Sequence, residues 1–441
     1  MIEELTDRFP VGYYRLHPDT GLNFQLNRFY NWVGEPAMLE DLRAIAPRIA
    51  DYGDWVRELV ALAEDTLDQG RTAAGAYELR MAEFFMPLDD PRRHAARQRF
   101  VSLVRELHGL TADDVHQVPY GPDGHHTLPA YRLTSPHSRD TVVIFGGFDS
   151  YIEEWLPMLE ALRDSGLDVI AFDGPGQGGA LEEGGLPFTP EWQRPVAAVL
   201  DHFAVDDVTL IGCSLGGALV VRAAAGERRV RRVVAFDAMT DFLACMARQR
   251  GGLTGRLLRH AHHVPAAAID AAASRAASRD LMADWGFRQA MHTLGAATPA
   301  AALAAAHRYR TDDASDAVDQ DVLLLAGAED HYVPLRQVHD QAAMLHGARS
   351  ITMRIFGPAE HAQNHCQVGN LGLALRTILD WHTAVTSSRE ERPARQAAAS
   401  LTKSLSKIAA CGGSTREVPS PTARDDSRGP NTVQVPHPEA S

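Results

Sequence analysis

The segment VTLIGCSLGG, residues 208–217, contains Ser214 within the pattern G-x-S-x-G. An apolar run precedes the pattern, and a run rich in alanine and valine, residues 218–225, follows it. In such a pattern the serine sits on a sharp turn from a strand to a helix, and glycines flank it because side chains would clash in the turn. The turn exposes the serine hydroxyl at a helix N-terminus. The segment therefore predicts a strand, a nucleophilic Ser214 and a helix, in that order.

Short apolar runs like the one before Ser214 recur along the chain, and helical segments follow them. Strands that are buried on both faces are continuous apolar runs, and their alternation with helices indicates a mostly parallel sheet. With a nucleophile on a strand-to-helix turn, this pattern predicts an α/β-hydrolase fold, a mostly parallel sheet flanked by helices. The predicted strands are residues 142–145, 169–172, 208–211, 233–236, 322–325 and 351–356.

The spacing of apolar residues also divides the chain into predicted segments. In the N-terminal part they recur at helical spacing, as at Trp55, Leu59 and Ala63, and Asp54 is expected to cap that helix. The alternation of strands and helices breaks once, where a lid commonly covers such a site. The C-terminal stretch is rich in Ser, Arg, Pro and Gly, which predicts disorder. The predicted segments are an N-terminal helical cap (1–112), the first part of the core (113–238), a helical lid insertion (239–320), the second part of the core (321–386) and a disordered tail (387–441).

A serine hydroxyl needs a base and an acid, which follow it in the order serine, acid, histidine in this architecture. Asp330 ends an apolar run and is the expected acid, with Glu329 as its rival. The base must follow the next run, where His361 and His365 both lie. Spacing alone does not choose between these two histidines.

An oxyanion hole is expected where TVVIFGGFD, residues 141–149, runs from a strand into a Gly-Gly turn. The backbone N–H groups of Phe148 and Leu215 are the predicted donors to the developing negative charge. The loop DGPGQG, residues 173–178, is expected to shape the floor of the site. Cys213 and Cys366 adjoin the predicted nucleophile and base and are expected to point elsewhere.

Composition excludes several classes of protein. The net charge of −14 argues against a nucleic-acid surface and a polybasic membrane face. Four cysteines do not form a disulfide framework. We find no basic, apolar leader and no apolar run of membrane-spanning length, so a cytoplasmic protein is expected. His260, His262 and His263 lack the spacing of helical metal ligands, so we expect no metal and no cofactor. The expected partner is a small acyl or ketone substrate. A homodimer is the oligomeric state to test.

Five motifs occur in an order that resembles one group of α/β-hydrolases, typified by dihydroxypseudooxynicotine hydrolase and the fungal polyketide-shortening hydrolases of pigment synthesis. The resemblance spans roughly residues 50 to 385 and includes RMAEFFMPLDDP at residues 80–91, which is similar to the N-terminal helical cap of the group. The stretch AEHAQN, residues 359–364, departs from the glycine-rich approach to the histidine. The motifs are GGFDSYIEE (146–154), FDGPGQG (172–178), GCSLGG (212–217), GAEDHYVP (327–334) and HCQVGN (365–370).

The resemblance implies that His365, rather than His361, is the base. It also implies hydrolysis of a carbon–carbon bond next to a ketone, a retro-Claisen cleavage of a β-diketone or polyketide-like substrate in secondary metabolism or catabolism. Asp149 matches a position where the nicotine-degrading enzyme has a glutamate, which implies that Asp149 positions or protonates the substrate. The alternatives are a carboxylesterase, an acyltransferase or cyclase, and a catalytically dead protein that binds a ligand.

Overall fold

The structure is a computed structural model that describes residues 8–138, 140–250, 263–279 and 281–387, without the side chains of residues 249, 250, 281 and 282. Within these ranges eight strands form one sheet, in the order β1-β2-β4-β3-β5-β6-β7-β8. The strands β1 to β8 are His116–Tyr120, His126–Leu133, Asp140–Phe145, Leu167–Phe172, Val208–Cys213, Val230–Phe236, Asp321–Gly327 and Ser350–Phe356.

The six predicted strands are confirmed as β3 to β8, which pair in parallel. Every residue of β4, β5 and β7 is buried, as expected for strands covered on both faces. Strand β8 differs, because Ile351 and Met353 are exposed at the edge of the sheet. The hairpin β1–β2 adds to the other edge by antiparallel pairing of β2 with β4.

Fifteen α-helices lie in the described ranges. Before the sheet, helices α1 to α5 are Thr20–Val33, Pro36–Ile45, Tyr52–Asp68, Thr72–Phe84 and Arg93–Leu107. Within the first part of the sheet, α6 to α9 are Leu156–Asp164, Gly178–Glu182, Gln193–Phe203 and Gly216–Gly226. Between β6 and β7, α10 to α13 are Phe242–Arg250, Ala266–Ala277, Leu281–Thr293 and Pro299–Ala306. Helix α14 is Arg336–Met344, and α15 covers residues 371–387.

Two apolar cores lie on the two faces of the sheet, because successive side chains of a strand point to opposite faces. In β3, Ile144 faces the core that contains the N-terminal helices, and Val143 faces the core that contains α8 and α9. Trp55 of α3 is fully buried, and its indole N–H donates to the Met81 carbonyl at 2.7 Å. The N-terminal helices therefore share one core with the sheet.

Three expectations concern parts of the chain outside the sheet. The cap of α3 is Asp51 rather than Asp54: the Asp51 carboxylate accepts the Asp54 N–H at 2.8 Å, which places Asp54 in the first turn. The predicted tail lies almost entirely outside the described residues, and the compact unit that contains the sheet ends at Val385. No described helix is long and apolar enough to cross a membrane.

Candidate active site

Ser214 lies on the turn between β5 and α9, as its sequence pattern predicts. Its φ angle is 60°, which is uncommon for a residue with a side chain and marks a strained turn. A Cβ on Gly212 would lie 2.0 Å from the Gly216 carbonyl oxygen, and one on Gly216 would lie 2.7 Å from the Gly146 carbonyl oxygen. The glycines of the pattern are therefore required because backbone segments pass close to them.

A continuous chain of hydrogen bonds runs from Ser214 to Asp330. His365 Nε2 lies 2.8 Å from Ser214 Oγ, and His365 Nδ1 lies 2.7 Å from Asp330 Oδ2. The other oxygen of Asp330 accepts the backbone N–H groups of Tyr332 and Val333 at 2.6 and 2.8 Å. The structure thus brings together the three residues expected to form a triad.

The two rivals from the sequence lie elsewhere. Glu329 is exposed, and its backbone N–H donates to the Gln363 carbonyl. His361 is also exposed, in a left-handed backbone conformation at the end of the short helix Pro358–Glu360. His365, by contrast, is 5% exposed and faces Ser214.

A second carboxylate, Asp237, also reaches His365, and the sequence reasoning missed it. Asp237 follows β6 and is fully buried, and its Oδ2 lies 3.1 Å from His365 Nδ1. The same oxygen accepts the Cys366 backbone N–H at 2.7 Å, and Oδ1 accepts the Gln367 side-chain amide at 2.8 Å. A sequence signal for Asp237 was present: it directly follows β6, a parallel strand next to β5. It therefore lies at the carboxyl ends of the strands, where the acid Asp330 was also expected.

Burial and neighbouring charges shift the pKa values of Asp330, His365 and Asp237 in different directions. Burial opposes the charge of Asp330, but the facing His365 holds the pKa of Asp330 below its usual value. Burial would lower the pKa of His365, yet the Asp330 carboxylate raises that pKa well above its usual value. Burial raises the pKa of Asp237 to about 6. The carboxylates therefore stabilise the imidazolium that forms when the serine gives up its proton.

The Gly146-Gly147 turn packs directly against the serine turn. A Cβ on Gly147 would lie 2.7 Å from Ser214 Cβ. The Gln177 side-chain amide donates to the Gly146 and Gly147 carbonyls at 2.6 and 3.1 Å, so the loop expected to form the floor also fixes this turn. Phe148 lines the cavity beside Ser214, and Leu215 directly precedes α9, among the unpaired N–H donors of a helix N-terminus.

Ser214 and His365 open onto a cavity of about 340 Å³ with mainly apolar walls. A cavity of this size suits a small organic molecule. Both Cys213 and Cys366 contribute to its wall, and the Cys366 thiol lies 3.5 Å from the Phe236 carbonyl oxygen. Aromatic side chains reach the cavity from the N-terminal helices, from the core and from the segment between β6 and β7; they include Phe24, Phe84, Phe148, Phe236, Phe242 and Trp285.

Asp149 lies at the polar part of the cavity wall, paired with Arg28 of helix α1. Arg28 Nη1 donates to Asp149 Oδ1 at 3.0 Å, and Nη2 donates to Glu154 at 2.7 Å. The Asp149 side chain is 33% exposed, whereas Glu154 is fully buried and also accepts from Arg80. Although burial opposes the charge of Arg28, Glu154 and Asp149 raise its pKa above its usual value. Sequence reasoning did not find this pair, because Arg28 is 121 residues away from Asp149.

In the part of the chain that the structure describes, one group of side chains could hold a metal ion. Asp237, His365 and Cys366 each offer a ligand atom within 4.8 Å of the others. The carboxylate and the imidazole of this group already bond to each other and to neighbouring N–H groups. Two histidines of the cluster considered in the sequence, His260 and His262, lie outside the described residues.

The chain belongs to the α/β-hydrolase family: the family model described as "alpha/beta hydrolase fold" matches residues 140–365. The chain is 28% identical over 373 residues to Hydrolase LUC6 of Fusarium sp, covering 74% of this chain and 86% of that protein. It is 32% identical over 217 residues to 20-hydroxy-prefusarin hydrolase FUS2 of Gibberella moniliformis, covering 43% and 51%. The resemblance stated from the motifs is confirmed, and the protein is a hydrolase.

Solved structures support the same fold. The crystal structure of 2,6-dihydroxy-pseudo-oxynicotine hydrolase superposes with a TM-score of 0.56 at 20% identity, covering 80% of this chain and 94% of that one. AbyA5 superposes with a TM-score of 0.55 at 20% identity, covering 78% and 88%. At this level of identity the two structures show the shared fold.

Proposed function

We propose that this hydrolase cleaves a carbon–carbon bond next to a ketone in a small β-diketone or polyketide-like substrate. Ser214 is the nucleophile, His365 the general base and Asp330 the acid that orients the imidazole. The strongest support is the unbroken chain of hydrogen bonds, Ser214 to His365 to Asp330, at the wall of an aromatic cavity. The fungal hydrolases among its relatives support a role in secondary metabolism.

The reaction begins when Ser214 Oγ attacks the carbonyl carbon and passes its proton to His365 Nε2. The N–H groups of Phe148 and Leu215 hold the oxyanion. As the oxyanion collapses, the carbon–carbon bond breaks and its electron pair leaves as an enolate, which takes the proton that Ser214 gave to His365 and departs as a ketone. Water, activated by His365, then attacks the acyl group on Ser214 and releases a carboxylic acid.

In this proposal Asp149 and Arg28 act on the departing enolate, which forms in C–C cleavage but not in ester hydrolysis. The departing enolate carries negative charge on the oxygen of the second ketone, whereas an ester releases an alkoxide. Arg28, Asp149 and Ser214 all line the same cavity. In this proposal the Asp149 carboxylate orients the second ketone or relays the proton of His365 to the carbon, and Arg28 holds Asp149 in place.

Ester hydrolysis is the second candidate, because both reactions share the serine, the histidine and the oxyanion hole. Transfer of the acyl group to a nucleophile other than water, including cyclisation, would follow if the cavity excluded water. The helices between β6 and β7, which contribute Phe242 and Trp285 to the cavity wall, are the proposed lid.

One variant separates the two reactions. In C–C cleavage, Asp149→Asn should lower kcat/KM on an aryl β-diketone by ~10²–10⁴, the usual range for general acid–base help. The same variant should change kcat/KM on the matching aryl ester only modestly. The control is Asp123→Asn, the same chemical change in the exposed β1–β2 turn. Equal small losses on both substrates would make Asp149 structural and favour the esterase.

A further inference from the structure

Two carboxylates reach one ring nitrogen of His365. His365 Nδ1 lies 2.7 Å from Asp330 Oδ2 and 3.1 Å from Asp237 Oδ2. The carboxylates come from the ends of neighbouring parallel strands, since Phe236 of β6 pairs with Leu325 of β7. An orienting acid needs only one of them, so the second requires an explanation.

Asp237 has hydrogen-bond partners other than Asp330 and the His365 ring. Its carboxylate accepts the Cys366 N–H and the Gln367 amide, at 2.7 and 2.8 Å. Its backbone carbonyl contacts the helix after the nucleophile so closely that a Cβ on Gly217 would lie 1.7 Å from it. Asp237 would therefore stay at the imidazole if Asp330 lost its charge.

We propose that Asp237 is a second acidic partner of the catalytic imidazole, a positioning residue that shares the Nδ1 proton with Asp330 and keeps the ring oriented when Asp330 is replaced. This inference rests on the role of His365 as the base in the proposed function. It concerns how the base is held, and it applies to C–C and to ester cleavage alike.

The two acids differ in when they are charged. The titratable groups that face Asp237 are Asp330, His365 and the thiols of Cys213 and Cys366. Burial raises the pKa of Asp237 to about 6, whereas His365 holds the pKa of Asp330 below its usual value. Of the two acids, only Asp330 is charged below about pH 6, the pKa of Asp237. Above that pH both carboxylates are charged and stabilise the imidazolium.

Asparagine is a suitable replacement at Asp237, because the pocket can accommodate its amide. The asparagine oxygen can accept the Cys366 N–H and the His365 N–H. The new NH₂ then faces Gln367, whose Oε1 is buried and accepts no hydrogen bond from any described residue. Rotation of the Gln367 amide would let this oxygen accept from the NH₂, so Asp237→Asn removes the charge with little other change.

The test measures how fast a fluorophosphonate probe inactivates the protein, which requires no knowledge of the substrate. Ser214 Oγ forms a bond to phosphorus, fluoride leaves with the electron pair of the P–F bond, and the serine proton goes to His365. Rates between about pH 5 and pH 9 would be compared for the wild type, Asp237→Asn, Asp330→Asn and the double variant. Glu329→Gln, an exposed carboxylate beside Asp330, is the control.

Loss of the orienting acid costs about 10⁴ in kcat in a serine protease with a single such acid. We expect the double variant to lose on the order of 10⁴ in rate and Asp330→Asn to lose no more than ~10². In Asp237→Asn the acidic limb of the pH–rate profile should move down by about one pH unit, because a negative charge near the imidazole is gone.

The inference is overturned if Asp330→Asn is as slow as the double variant, or if the acidic limb of Asp237→Asn does not move. If the double variant does not fold, the shift of the acidic limb in the pH–rate profile of Asp237→Asn is the deciding measurement. Labelling that persists in Ser214→Ala would instead refute the proposed function, so the two failures are distinguishable.

Discussion

Replacing Gly147 by alanine should disrupt the site while adding a single methyl group. The new Cβ would lie 2.7 Å from Ser214 Cβ, 2.9 Å from the Cys213 carbonyl oxygen and 3.0 Å from the Leu215 nitrogen. Carbon atoms in contact are about 3.5–4.0 Å apart, so the two loops must separate by about 1 Å. A misplacement of about 1 Å costs on the order of 10² in rate, and losing an oxyanion donor costs ~10²–10³.

We therefore expect Gly147→Ala to lower kcat/KM by ~10²–10³, measured with an aryl ester or diketone that the wild type hydrolyses. Gly357→Ala is the matched control, since a Cβ there has no described atom within 4 Å and the φ angle of −104° suits alanine. Thermal unfolding would verify that both variants fold, because overpacking costs about 1–3 kcal/mol. A kcat/KM for Gly147→Ala within about threefold of the control would refute the proposed oxyanion hole.

Three further predictions concern the base, a buried acid and metals. His365→Ala should lower kcat about as far as Ser214→Ala, since triad members act as a unit, whereas His361→Ala should have little effect; the reverse order would refute the choice of base. Burial raises the pKa of Glu78 to about 7, so its contribution to stability is full below about pH 4 and is lost as the pH rises to 7. Denaturant titrations should show that Glu78→Gln raises the free energy of unfolding at pH 8 by up to about 3 kcal/mol, and an unchanged value would contradict the assignment. Hydrolysis should survive a chelator, and a loss in EDTA that zinc restores would show that a metal is needed.

The strands, the turn at Ser214 and the position of Asp330 could be predicted because their signals are local, whereas His365 was preferred to His361 only because of the family resemblance. Buried strands are continuous apolar runs, and the turn at Ser214 requires glycines within two residues of it. The exposure of Ile351 and Met353 was not predictable in this way, because an edge strand and a central strand can share the same apolar run.

The second acid and the Arg28–Asp149 pair could not be found by the same reasoning. Asp237 was not singled out in the sequence, although it directly follows strand β6. Arg28 lies on an N-terminal helix, and its ion pair with Asp149 depends on how that helix packs on the sheet. Such contacts come from tertiary packing, which periodicity and local motifs do not encode.

The products of an aryl β-diketone test the central claim most directly. The purified protein would be incubated with the diketone in water enriched in heavy oxygen, and the products identified by mass spectrometry. The proposed reaction predicts equal amounts of a ketone and a carboxylic acid, with heavy oxygen in the acid, from the wild type and none from Ser214→Ala. Failure to cleave any diketone while aryl esters are hydrolysed, or undiminished cleavage by Ser214→Ala, would contradict it.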